Sequence, residues 1–168
     1  MERTNSGQYL TFALGTDSFA IPIEHVLEVL EVEKITRVPR SERYLLGVIN
    51  VRGSIRPIVD LRSKLLLAPR ENTITEKETI SIIILELEID GDITVLGIVT
   101  DTVDQVVTLK EENIDPTPKI GTRLNRKLIS GIGKINDLFL IILDTDYLFT
   151  EESTNLKMME LPAPTPAV

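Results

Sequence analysis

The chain has 168 residues, 42% hydrophobic and 26% charged, which suits one compact domain or two small, closely joined units. A formal charge of −8, with no cluster of Lys or Arg, repels a long phosphate backbone and argues against nucleic acid as a partner. Absent cysteine excludes disulfides, thiolate metal sites and a cysteine nucleophile, and the longest apolar run, Leu138 to Leu143, is too short to cross a bilayer.

Aromatics make up only 4% of the chain, so the core falls to Ile, Leu and Val and strand content should be high. Tyr9 to Leu14 alternates, and the turn Gly15-Thr16-Asp17-Ser18 leads to Phe19-Ala20-Ile21, a hairpin with a four-residue loop. Ile23, Val26, Leu27 and Leu30 recur at helical spacing behind Pro22, which predicts a short amphipathic helix. A brief strand is expected over Lys34 to Val38. A longer one over Tyr44 to Val51 turns at Arg52-Gly53-Ser54 into Ile55 to Val59, where Pro57 calls for an edge or a bulge. Asp60 then caps a turn or two of helix.

After a polar loop over Ala68 to Glu78, Thr79 to Ile89 and Ile93 to Val99 flank Asp90-Gly91, a type I′ hairpin signal. Val103 to Leu109 continues as strand, and a Pro-containing loop runs from Lys110 to Gly121. Lys127 to Ile135 pairs through Asn136-Asp137 with Leu138 to Leu143, and Asp144 caps a last short helix ending near Phe149. The segment 151–168, acidic at its start and proline-containing, reads as a flexible tail beyond a folded region spanning 8–150.

The order of elements repeats. Gly47 to Asp60 overlays Gly131 to Asp144, each strand, tight turn, strand and Asp cap. Phe19-Ala20-Ile21 with Val26-Leu27-Glu28-Val29 likewise overlays Leu96-Gly97-Ile98 with Val103-Asp104-Gln105-Val106. Two similar small β units are implied, and short strands with hairpin turns suggest barrels, which remove exposed edges by closing.

Catalytic chemistry finds little to work with. The one histidine, His25, excludes a His-pair metal site within one chain, and it lies outside the apolar stripe of the first helix. Glu86, Glu88, Asp90 and Asp92 lack the glutamate that closes a calcium loop, and at alternate positions they solvate one face of a hairpin. Gly131-Ile132-Gly133 lacks the third glycine of a dinucleotide loop. No cofactor and no enzymatic activity are expected. Arg52 is the more informative position: a turn presents its guanidinium to bidentate carboxylate binding, though an ordinary exposed arginine reads equally well from the residues alone.

The quoted segments, with Phe19-Ala20-Ile21-Pro22-Ile23, Ile35-Thr36-Arg37-Val38-Pro39, Gly47-Val48-Ile49-Asn50-Val51-Arg52-Gly53 and Ile58-Val59-Asp60-Leu61-Arg62, together resemble the CheW family from about Gln8 to Thr150. The resemblance implies a mainly β fold of two five-stranded SH3-like barrels sharing a core, with a few short helices. It implies a cytoplasmic, non-catalytic chemotaxis adaptor that couples chemoreceptor cytoplasmic tips to the regulatory domain of the histidine kinase CheA and joins membrane-associated arrays without inserting in the bilayer.

Carried over by position, Arg52, Asn50, Gly53, Val26 and Gly47 resemble receptor-side residues; Glu28, Val29 and Ile120 resemble kinase-side residues. The chain departs from the family pattern at Ser41-Glu42-Arg43, where many members have a second proline, and at Asp115, where a basic residue often stands. An excised regulatory domain of CheA would look alike in sequence, and an unrelated small β-barrel binding module is the reading from a different class.

Overall fold

Residues 7–65, 67, 79–116 and 126–149 are described in a computed structural model of the chain. The strands are β1 (Gly7–Leu14), β2 (Asp17–Pro22), β3 (Val26–Val32), β4 (Leu45–Val51), β5 (Ser54–Val59), β6 (Ile80–Ile89), β7 (Asp92–Thr100), β8 (Thr102–Leu109), β9 (Ile114–Asp115), β10 (Ile129–Ile135) and β11 (Leu138–Leu143). Two single-turn helices, α1 (Leu61–Lys64) and α2 (Thr145–Leu148), follow β5 and β11. The expected caps start both: the Asp60 carboxylate accepts from Arg62 N at 3.0 Å and that of Asp144 from Tyr147 N at 3.1 Å.

One sheet has six strands in the order β8-β1-β2-β11-β10-β9, the other five in the order β3-β6-β7-β5-β4. The repeat appears in their register. β4 and β10 share one sequence of buried and exposed positions, and both hairpins carry a bulge just before the matched glycine, Gly47 or Gly131. Ile58 pairs in parallel with Gly97, and the matched pair, Ile142 with Ala20, lies 84 residues on (58 to 142) and 77 back (97 to 20). Each sheet therefore mixes strands of both repeats: β1 and β2 complete a sheet with β10 and β11, while β6 and β7 complete one with β4 and β5.

That exchange explains the core. A shared cluster joins Phe12, Phe19 and Ile21 of the first sheet to Ile83, Leu85 and Ile98 of the second, all nearly inaccessible to solvent. Each sheet adds a smaller cluster of its own, around Tyr9, Leu109 and Leu140 in the first and Ile49, Ile58 and Ile82 in the second. Two curled units around one common interior agree with the expected architecture. Each fully buried Ile, Leu or Phe contributes about 1.5–3 kcal/mol, so this interior dominates the union of the two units.

Polar contacts tidy the crossings. Asp101, between β7 and β8, accepts from Gly15 N at 2.6 Å and from the Arg62 guanidinium at 2.5 Å, tying the β1–β2 turn to α1. The Thr11 hydroxyl donates to Gln105 O at 3.0 Å and accepts from Gln105 N at 3.2 Å, pairing the backbone that the β1–β8 bulge leaves free.

Four expectations are corrected. The segment predicted as a helix from Ile23 is a single 3-10 turn, Ile23–His25, followed by β3, which pairs with the isoleucine-rich start of β6. The loop after Leu14 has two residues, because Leu14 already pairs with Asp17 and Gly15 takes φ 64°. The strand expected over Lys34 to Val38 is one bridge, Thr36 with Val48. The strand carrying Pro57, expected at an edge or a bulge, is inner, between β7 and β4; the proline is tolerated there because pairing of β5 with β7 begins only at Ile58. Ala68 to Glu78, Ile120 and the segment 150–168 lie outside the described residues.

Candidate docking faces

The β4–β5 hairpin carries the site. Arg52 and Gly53 hold φ 49° and 88°, both left-handed, and a two-residue type I′ turn results. Glycine adopts that backbone without penalty, and the Asn50 side chain accepts from Gly53 N at 2.8 Å, closing the turn from outside. Three of the receptor-side candidates, Asn50, Arg52 and Gly53, are thus one exposed structural unit.

The turn aims the Arg52 guanidinium at Glu28 of β3, with which it forms a hydrogen-bonded ion pair. The Arg52 side chain is 72% exposed and that of Glu28 26%. An exposed pair of this kind stabilises by at most about 1 kcal/mol. Its geometric effect is larger: β3 and β4 are the two edges of the five-stranded sheet, and the pair draws the curled sheet's edges together. Residues that the resemblance divides between two partners, Arg52 on the receptor side and Glu28 on the kinase side, are adjacent.

Val29 lies on the outward face of β3, 43% exposed, with Leu27 beside it on the same face. Two accessible aliphatic side chains on an edge strand form a surface suited to apolar contact. The helical reading had set Leu27 on a buried stripe; the repeat held the signal against it, since the matched segment from Val103 already read as strand. By the same overlay Val106 and Phe139, both exposed, correspond to Val29 and Ile55 on the other sheet.

Val26 and Gly47 are different in kind. Val26 is half-buried and packs against the shared core. Gly47 is buried with φ 155°, and a Cβ there would stand 2.1 Å from Thr36 O. Gly47 is a notch for the backbone of the β3–β4 connector.

His25 is half-buried, with Nε2 3.8 Å from the Glu24 carboxylate. Burial, then the Glu24 charge, raises the Tyr9 phenol's pKa above its usual value. Glu86, Glu88, Asp90 and Asp92 are exposed, and no group of three or more His, Asp or Glu side chains capable of holding a metal occurs among the described residues. Burial lowers the Lys64 pKa to about 7, with the amine 5.0 Å from the centre of the Tyr44 ring. No helix among the described residues is long and apolar enough to cross a membrane.

Comparison with known proteins gives a consistent answer. The family model described as "CheW-like domain" matches residues 8–153. The chain is 32% identical over 146 residues to the chemotaxis protein CheW of Helicobacter pylori, covering 86% of this chain and 82% of that protein. It is 32% identical over 145 residues to CheW of Bacillus subtilis, covering 86% and 88%. The crystal structure of the scaffolding protein TtCheW from Thermoanaerobacter tengcongensis superposes with a TM-score of 0.70 at 29% identity, over 86% of this chain and 92% of that one.

Proposed function

The chain belongs to the CheW family, the non-catalytic chemotaxis adaptors that couple receptors to the kinase CheA, and we propose that it meets the two partners on the adjoining surfaces of the β4–β5 turn and β3. The observation that carries this reading is the Arg52–Glu28 pair. It sets a charged, pre-formed turn against a strand whose outer face carries Leu27 and Val29. A receptor tip would be read by Asn50, Arg52 and Gly53, with Val26 and Gly47 shaping the ground beneath. The CheA regulatory domain would cover Glu28 and Val29, and Ile120 belongs to that kinase-side set by resemblance. A protein with this role works in the cytoplasm and is recruited to membrane-associated receptor arrays.

Because Arg52 is exposed and its ion pair adds little stability, Arg52→Glu should leave the fold intact. Charge reversal beside Glu28 should weaken binding of a receptor cytoplasmic fragment about tenfold or more, measured by calorimetry. A folded Arg52→Glu variant that binds the fragment with unchanged affinity would remove this turn from the receptor face.

A further inference from the structure

The β3–β4 connector, residues 33–44, carries a cation at every third position: Lys34, Arg37, Arg40 and Arg43. The spacing hides them from a search for a contiguous basic run, and only Glu33 and Glu42 oppose them within the segment. All four are exposed. Among the described residues, no hydrogen bond, ion pair or ring contact engages the side chains of these four, in a chain where acidic residues outnumber basic ones by 26 to 18.

The connector is irregular in form but anchored. Thr36 N donates to Val48 O at 3.0 Å and Val48 N to Thr36 O at 2.8 Å, over the notch that Gly47 leaves open. The Ser41 hydroxyl donates to Val38 O at 2.9 Å, and Leu45 N to Glu42 O at 3.0 Å. Such anchoring holds the spacing of the cations before any partner arrives, which lowers the entropy lost on binding.

We propose that this strip is a docking surface for a carboxylate-bearing segment of a protein partner. Three of the four cations are arginines, whose planar guanidinium matches carboxylates in bidentate geometry. Shape selects protein over lipid or nucleic acid. A bilayer is broad and meets the field of the whole chain, −8 in total, whereas a narrow segment meets the strip within a Debye length of about 8 Å. The strip adjoins β4 at Val48, and four residues of strand at about 3.3 Å each set it about 13 Å from the Arg52 turn. The strip and the turn are separate surfaces, and the proposal does not depend on what Arg52 binds.

The test is fluorescence anisotropy of a labelled, capped Glu-Ala repeat peptide titrated with the full chain. Three forms are compared: the unaltered chain, the strip variant Arg37→Gln/Arg40→Gln/Arg43→Gln, and the charge-matched variant Lys110→Gln/Lys127→Gln/Lys134→Gln. Circular dichroism verifies folding, and the single Arg37→Gln variant provides a milder form of the same change. The strip variant should bind about tenfold more weakly, as expected from three exposed ion pairs, and the charge-matched variant less than about twofold. Binding should also weaken between about 50 mM and about 300 mM salt. Equal losses in the two triple variants, no peptide binding by the unaltered chain, or co-sedimentation with phosphatidylserine vesicles in place of peptide binding would each overturn the proposal.

Discussion

Replacing Gly47 with alanine adds one carbon where the structure has no room for it. The Cβ would lie 2.1 Å from Thr36 O, 2.8 Å from Thr36 C and 2.8 Å from the Ile35 Cγ2 methyl. Two of the three obstacles are backbone, so rotamer changes cannot relieve the clash, and the connector must lift away. Lifting it breaks both Thr36–Val48 hydrogen bonds, at about 1 kcal/mol each. A non-glycine residue at φ 155° adds about 1–3 kcal/mol. The expected cost of Gly47→Ala is therefore about 3–5 kcal/mol.

The matched glycine of the other repeat supplies the control. At Gly131 the added carbon would meet the Ile114 Cγ2 methyl at 2.9 Å and Asp115 O at 3.0 Å, a shallower overlap than at Gly47 but one that still requires a shift. Gly131→Ala should cost less, about 1–3 kcal/mol. Urea denaturation should rank the two in that order, and hydrogen exchange should show the Val48 amide deprotected in Gly47→Ala alone. Equal destabilisation, or a Gly47→Ala chain with that amide still protected, would refute the notch.

Three further outcomes follow from named contacts. Val29→Asp should weaken binding to the CheA regulatory domain more than binding to a receptor fragment, because it charges an exposed apolar position on β3, the strand proposed to face the kinase; equal loss of both would point to general unfolding. Asp60→Ala and Asp144→Ala should each cost about 1 kcal/mol in urea denaturation, the ordinary value of an N-cap, and a null result for both would remove the caps from the account. The Lys64 amine has a pKa of about 7 when folded, below its value of 10.5 when unhindered, so between those values the unfolded chain binds more protons. Its contribution to stability therefore rises with pH across that window, and Lys64→Met should flatten the rise in urea midpoint between pH 7 and pH 9. An unchanged slope would contradict the lowered value.

The sequence foretold features that depend on neighbours along the chain. Asp90-Gly91 specifies its turn through backbone angles that both residues tolerate, and Asp60 and Asp144 cap through their own side chains. The repeat was legible because it preserves order and spacing, which the paired registers of Ile58 and Ile142 then express. What failed depended on distant partners. Val26 to Val32 fits a helical period as well as a strand, and pairing with the Ile-rich β6 decides between them. The juxtaposition of Arg52 and Glu28 had no local signal, because two edges of a sheet meet only once it curls. The tight fit at Gly47 likewise had no local signal, since it is set by Thr36, on a connector whose path the sequence did not reveal.

The central claim is coupling, and reconstitution tests it most directly. Purified CheA, a receptor cytoplasmic fragment and this chain are combined with ATP, and phosphate incorporation into the kinase is followed with each component omitted in turn. The account predicts that incorporation rises well above that of CheA alone only when receptor fragment and chain are both present, and that Arg52→Glu lowers the rise. Incorporation that is indifferent to the folded chain in the presence of receptor fragment would contradict it.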